Sequence, residues 1–301
     1  FMRPRKGGLV CTWDGDPALP RALTAHVDTL GAMVQRLKSD GRLLLTPIGN
    51  FDWHSIETEG CTVFTGDGRA YRGSILPLKA SVHIYGPEAR QLERVAENYE
   101  VRLDARVDSE EETWELGIRP GDFVAFDPRV EVNDGFIRSR HLDDKAGVAC
   151  IYGALCALVD AGLRPAQRTS VLISTYEEVG HGAASGFPPD LVELVAVDMA
   201  VVAAGHQSHE QAVTICAKDA GGPYDLGLRR RLEALAEVER LRWCTDVYLY
   251  YRSDGEAYWY AGGDVRVGLI GPGVDASHHY ERTHIDGIVN TARLIAAYLL
   301  S

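Results

Sequence analysis

The stretch Thr169-Ser170-Val171-Leu172-Ile173-Ser174-Thr175-Tyr176-Glu177-Glu178-Val179-Gly180-His181-Gly182 decides the architecture. Residues 169–175 have a continuous apolar centre, Val171-Leu172-Ile173, which predicts a strand buried on both faces. Two glutamates follow at its end. Isolated buried charge is very costly, so adjacent carboxylates at that place call for a cation. Neighbouring residues also project differently, so one carboxylate can hold metal while the other faces substrate. The same adjacency argues against a glycosidase pair, whose carboxyl groups flank the bond ~5 Å or more apart.

Outward from this strand the pattern is α/β. Residues 9–13, 22–26, 194–197 and 265–270 read as further strands. Residues 144–162 carry a helical stripe of Val148, Ile151, Leu155 and Leu158, residues 229–241 one of Leu232, Leu235 and Val238, and 288–300 form a closing helix. Strands alternating with helices imply a mostly parallel sheet sandwiched by helices. Between about 41 and 127 the texture changes: short runs at 43–45, 61–64, 74–76, 81–85 and 123–126 alternate with Gly and Pro turn signals, as in a small antiparallel barrel. The acidic run 108–112 reads as a solvated loop or helix face. The expected division is therefore a catalytic α/β domain of residues 1–37 and 128–301, with an inserted β-barrel of residues 38–127. The length of 301 residues agrees with about two domains.

The net charge of −12 disfavours nucleic acid and anionic membrane surfaces as partners. With 46 % hydrophobic and 25 % charged residues, disordered and collagen-like classes are excluded. Cysteines 11, 61, 150, 156, 216 and 244 have irregular spacing and no CxxC pair, which suits reduced thiols in a cytosol. The opening residues, Phe1-Met2-Arg3-Pro4-Arg5-Lys6, lack the apolar core of a signal peptide. No run of ~18 uncharged apolar residues suggests a transmembrane helix.

Ligands of open α/β sheets bind beyond the carboxyl ends of the strands, and several metal-ligand residue types fall there. His26 ends a strand and Asp28 lies two residues on; carboxylates commonly orient a metal-bound imidazole, although a buried core histidine is the ordinary alternative. In His141-Leu142-Asp143-Asp144-Lys145, before a helix, one Asp reads as the helix cap and the other is left for a second task. Asp198 ends the 194–197 strand, as a cap or a ligand. Residues 275–284 hold three imidazoles: His278, His279 and His284. Mixed His/carboxylate ligation suits Zn²⁺, Co²⁺ or Mn²⁺.

The ordered set Ala25-His26-Val27-Asp28, Leu142-Asp143-Asp144-Lys145, Tyr176-Glu177-Glu178-Val179-Gly180, Ala196-Val197-Asp198 and a late His resembles the glutamyl and tetrahedral (TET) aminopeptidases, over nearly the whole chain. The resemblance implies a zinc-peptidase-like fold and two divalent metal ions per subunit. Asp143 would bridge them, His26 and Asp198 would complete one site, and Glu178 and His278 the other. His279 is the alternative, because the family's last motif often reads His-Ser-Pro where this chain has Ser277-His278-His279-Tyr280. Glu177 would be the catalytic base and Asp28 the partner that orients His26. The ions would share a water or hydroxide that attacks N-terminal peptide bonds. The family further implies dimers formed through the barrel, a tetrahedral dodecamer, and a substrate-side loop around Asp254. It usually has a helical segment ahead of the first strand, so the chain is expected to be a trimmed or partly disordered version. Two other functions share the motifs: a metal-dependent deacylase or carboxypeptidase acting on small acylated peptides, and a non-catalytic assembly protein that retains the fold.

Overall fold

The computed structural model describes all 301 residues, which fall into two units: Phe1–Thr29 with Val130–Ser301, and Leu30–Arg129. The first unit opens with strands β1 (Leu9–Trp13) and β2 (Asp16–His26).

The second unit contains β3 (Gly31–Leu37), β4 (Leu43–Ile48), β5 (Gly60–Phe64), β6 (Ala70–Pro77), helices α1 (Val82–Tyr85) and α2 (Pro87–Gln91), β7 (Tyr99–Leu103), α3 (Glu110–Glu115) and β8 (Phe123–Phe126). Its strands close into a barrel in the order β3-β4-β7-β6-β5-β8. Alternate residues point inward, including Leu43 and Leu45, Cys61 and Val63, and Val124 and Phe126. The expected boundary after residue 37 shifts to residue 30, because β3 pairs with both β4 and β8 and is itself a barrel strand. The expected strand at 81–85 is the single helical turn α1, no residue of which is buried. The acidic run 108–112 enters α3, where Ser109 Oγ accepts the Glu112 N–H.

The first unit resumes with β9 (Glu131–Asn133), β10 (Phe136–Ser139), α4 (Leu142–Asp160), β11 (Gln167–Ser174), β12 (Glu193–Val197), β13 (Ala200–Val202), β14 (Val213–Asp219), β15 (Gly222–Pro223), α5 (Leu226–Val238), β16 (Trp243–Val247), α6 (Asp254–Tyr260), β17 (Arg266–Asp275), β18 (Glu281–His284) and α7 (Ile285–Leu300). Its 12-stranded sheet follows the path β1-β11-β2-β12-β17-β18-β10-β9, with β13 and β14 branching from β17 and β15 and β16 pairing with β14. The central four strands, β11, β2, β12 and β17, are parallel. Antiparallel strands flank them, β1 on one side and β14 and β18 on the other, so the sheet as a whole is mixed. Period-two alternation sorts the faces. Leu23, Ala25, Val195 and Val197 pack with α4, α5 and α7. Ala22, Leu194, Ala196 and Val267 face the side occupied by Tyr258 and Trp259 of α6.

Candidate active site

Parallel central strands bring their carboxyl ends to one edge. In β11 and β2, Ser174 stands opposite His26; in β12 and β2, Ala196 stands opposite Thr24. Glu177 and Glu178, His26 and Asp28, Asp198, and the segment after β17 that carries His278 therefore converge, and α4 brings Asp143 and Asp144.

The local chain explains each position. Beyond β11, Tyr176 takes φ 70°, and the Gly180 N–H returns to the Glu177 carbonyl at 2.7 Å. Gly180 itself has φ 86°, a conformation side-chain-bearing residues disfavour. This turn aims both glutamates at the sheet edge. At the start of α4 the capping carboxylate is that of Asp144, whose Oδ1 accepts the Gly147 N–H at 3.0 Å and whose Oδ2 accepts the His26 N–H at 3.2 Å. Gly147 has to be glycine here, because a Cβ would lie 2.2 Å from Asp144 Oδ1 and 2.6 Å from the Val197 carbonyl.

Asp143 occupies the centre. Its Oδ1 is 3.1 Å from His26 Nε2 and its Oδ2 is 3.4 Å from His278 Nε2. His26 Nε2 also lies 3.8 Å from Glu177 and 3.9 Å from Asp198, and His278 Nε2 lies 3.8 Å from Glu178. Two donor sets result, His26–Asp143–Asp198 and Asp143–Glu178–His278, each with its donor atoms within 4.8 Å of one another. Both contain Asp143, and the imidazole in the second set is that of His278. Behind His26, Nδ1 is 3.0 Å from the Asp28 carbonyl and 3.6 Å from its Oδ1, while Asp28 Oδ2 accepts the Glu178 N–H at 3.1 Å.

The charges are strongly coupled. Burial pushes the His26 imidazolium down, but Asp143 and Asp28 more than reverse this and hold its pKa well above the ordinary value. Burial pushes Asp143 up, and its bonds to the two imidazoles bring it below the usual carboxylate range. Glu178 is pushed up to about 8 and Asp198 to about 7, in both cases by burial and then by the Asp143 charge. Burial also raises Glu177 and Asp144 well above normal. So many buried carboxylates facing two imidazoles form an environment that divalent cations would relieve, and the donor types suit ions such as Zn²⁺.

Two residues at the site escape a sequence reading. Glu281 is buried on β18 and accepts the Asp143 N–H at 3.1 Å and the His278 N–H at 3.0 Å, tying two donors to one carboxylate. Its spacing from His278 was visible, but only the fold returns it to Asp143. Tyr251 is the other, its side chain hydrogen-bonding the Asp198 carboxylate. Asp254, implied to face substrate, is instead 3 % exposed; its carboxylate accepts from Ser174, from Thr24 at 3.3 Å and from the Ala183 N–H at 2.7 Å.

This fold is found in solved peptidases. An aminopeptidase of the archaeon Desulfurococcus kamchatkensis matches with a TM-score of 0.85 at 23 % identity, over 97 % of this chain and 82 % of that one. The TET1 peptidase of Pyrococcus horikoshii, which can assemble into a tetrahedron or a large octahedral shell, matches with a TM-score of 0.84 at 22 % identity, over 98 % and 87 %. Fold and relatives together define a peptidase, a hydrolase of peptide bonds. The chain belongs to the M42 glutamyl aminopeptidase family, whose family model matches residues 7–294. A Bacillus subtilis (strain 168) protein named "Putative aminopeptidase YhfE" is 48 % identical over 302 residues, covering 100 % of this chain and 87 % of its own.

Proposed function

We propose that the chain is a dinuclear metal-dependent aminopeptidase that removes N-terminal residues from peptides. The observation that carries this reading is Asp143, whose two oxygens face His26 and His278 and belong to both donor sets. His26 and Asp198 would complete one site, and Glu178 and His278 the other. Two divalent ions, zinc by preference, would polarise the scissile carbonyl and acidify the attacking water. Glu177 takes that water's proton and passes it to the leaving amine. Its raised pKa suits both steps, and 15 % of its side chain stays exposed against 5 % for Glu178. Asp28 orients the His26 ring from behind, and neighbouring carboxylates recognise the substrate's free α-amine.

The test is Glu177→Gln, which should reduce kcat at least ~10²–10⁴-fold with metal content unchanged. Near-parental kcat would overturn the role. Equal cleavage of free and N-acetylated dipeptides would replace the aminopeptidase reading with that of a deacylase. We extend the proposal to self-assembly through the barrel unit, in keeping with a relative that can assemble into a tetrahedron, with light scattering as the check. We also place the enzyme in the reducing cytoplasm, which its six free cysteines suit. No helix is long and apolar enough to cross a membrane.

A further inference from the structure

We propose that Lys6 is a positioning residue for the catalytic base, gripping both legs of the loop that carries Glu177; this rests on the role given to Glu177 above. Strand β1 runs antiparallel to β11, with Leu9 opposite Ile173. The residues just ahead of β1 therefore pass the carboxyl end of β11, where the loop begins. There the Lys6 carbonyl accepts the Thr175 Oγ1 hydrogen at 2.8 Å. The Lys6 ammonium reaches the other leg, donating to the His181 carbonyl and, at 2.8 Å, to that of Gly182. It also stands 5.8 Å from the centre of the Tyr176 ring, which stacks on the His181 imidazole with centroids 5.1 Å apart. One half-buried residue thus holds Thr175 and Tyr176 ahead of the glutamates, and His181 and Gly182 behind them.

The loop depends on such ties. Tyr176 and Val179 are 48 % and 44 % exposed, so apolar packing fixes little of it. Its return leg lies against the base itself: a Cβ on Gly182 would come within 3.0 Å of the Glu177 Cα and 2.2 Å of Asp254 Oδ1. Asp254 ties both legs as well, accepting from the Ser174 hydroxyl and from the Ala183 N–H at 2.7 Å. Lys6 adds a second tie across the same loop, and an ammonium makes stronger hydrogen bonds than a neutral donor. A general base has to stay within hydrogen-bond reach of the water it deprotonates. Misplacement by ~1 Å can cost about 10²-fold in rate. Without the ammonium the return leg is free to shift, and Glu177 shifts with it. Lys6 therefore acts on the reaction through Glu177.

The test is Lys6→Met in the metal-loaded full chain, which keeps the stem and removes the ammonium. Expected are a kcat lower by about 10–10²-fold, KM within about threefold and unchanged metal content. Lys6→Arg, which keeps charge and donors, should return kcat to within about threefold of the parent. Hydrogen exchange of the metal-free protein gives a readout independent of turnover: in Lys6→Met the amides of residues 175–183 should exchange faster, with those of α7 unchanged. In a Glu177→Gln background, where the base is gone, adding Lys6→Met should change the residual kcat by less than about threefold. A kcat loss of less than about tenfold in the parent background overturns the inference, as does the same loss in both backgrounds. If Glu177→Gln itself keeps near-parental kcat, the role of the base falls and this inference with it. A slow Glu177→Gln beside an unaffected Lys6→Met removes this inference alone.

Discussion

Asp143 and its neighbours share the same burial but are held in opposite protonation states by the groups they face. Asp143 is kept charged by two imidazoles, while Glu178, Asp198 and Glu281 are pushed up to about 8, 7 and 8 by burial and by the Asp143 charge. Groups raised in this way bind more protons folded than unfolded between about pH 4.5 and 8, so folding stability falls as pH rises there. His26 is also raised and contributes in the same direction, its stabilisation being lost as pH rises through its folded value. Chemical denaturation of chelator-treated protein should therefore show stability dropping from pH 5 to 8, by up to about 1.4 kcal/mol per pH unit for each titrating group. Divalent metal should flatten that slope, and a slope of the opposite sign would refute the assignment. Glu281 gives a second residue-scale test. Glu281→Ala strips acceptors from the Asp143 and His278 N–H groups, and metal affinity by calorimetry should fall about 10–100-fold. Residue type and position at strand ends made His26, Asp143, Glu177, Glu178 and Asp198 legible in the sequence. Glu281 and Tyr251 were not legible, because their relevance depends on where distant segments return.

At the level of elements, legibility followed burial. The strands β11 and β12 and the helices α4 and α7 carry buried faces, and their apolar patterns announced them. Helix α1 buries nothing, with Val82 45 % and Ile84 77 % exposed, so its β-branched residues pointed to a strand and no packing overruled them. Helix α6 escaped because the run Tyr258-Trp259-Tyr260 has no helical period of its own; the Ser253 cap and the packing of Trp259 set it. The start of α4 offers an element-scale prediction. In Gly147→Ala the new methyl group meets Asp144 Oδ1 and the Val197 carbonyl, so the capping turn has to shift. We expect a destabilisation of about 1–3 kcal/mol, read by thermal denaturation, together with weaker metal binding, since Asp143 moves with Asp144.

The molecule as a whole divides into a closed barrel with its own core and a sheet unit assembled from both sides of it in sequence. The barrel's closure leaves no open sheet edge, so residues 30–129 produced alone should unfold cooperatively in denaturant; a broad, non-cooperative transition would show that they depend on the rest. The sheet unit behaves otherwise. Strand β17, made after all the others except β18, lies in the middle of the sheet, between β12 and β14 or β18. A chain still on the ribosome presents His26 and Asp28, as half of a site, well before His278 and Glu281. On the reading proposed here, full metal loading has to wait until β18 has been made, and a product truncated before β17 carries the first donors without the last. Metal content would then mark a chain in which β17 and β18 have closed the site.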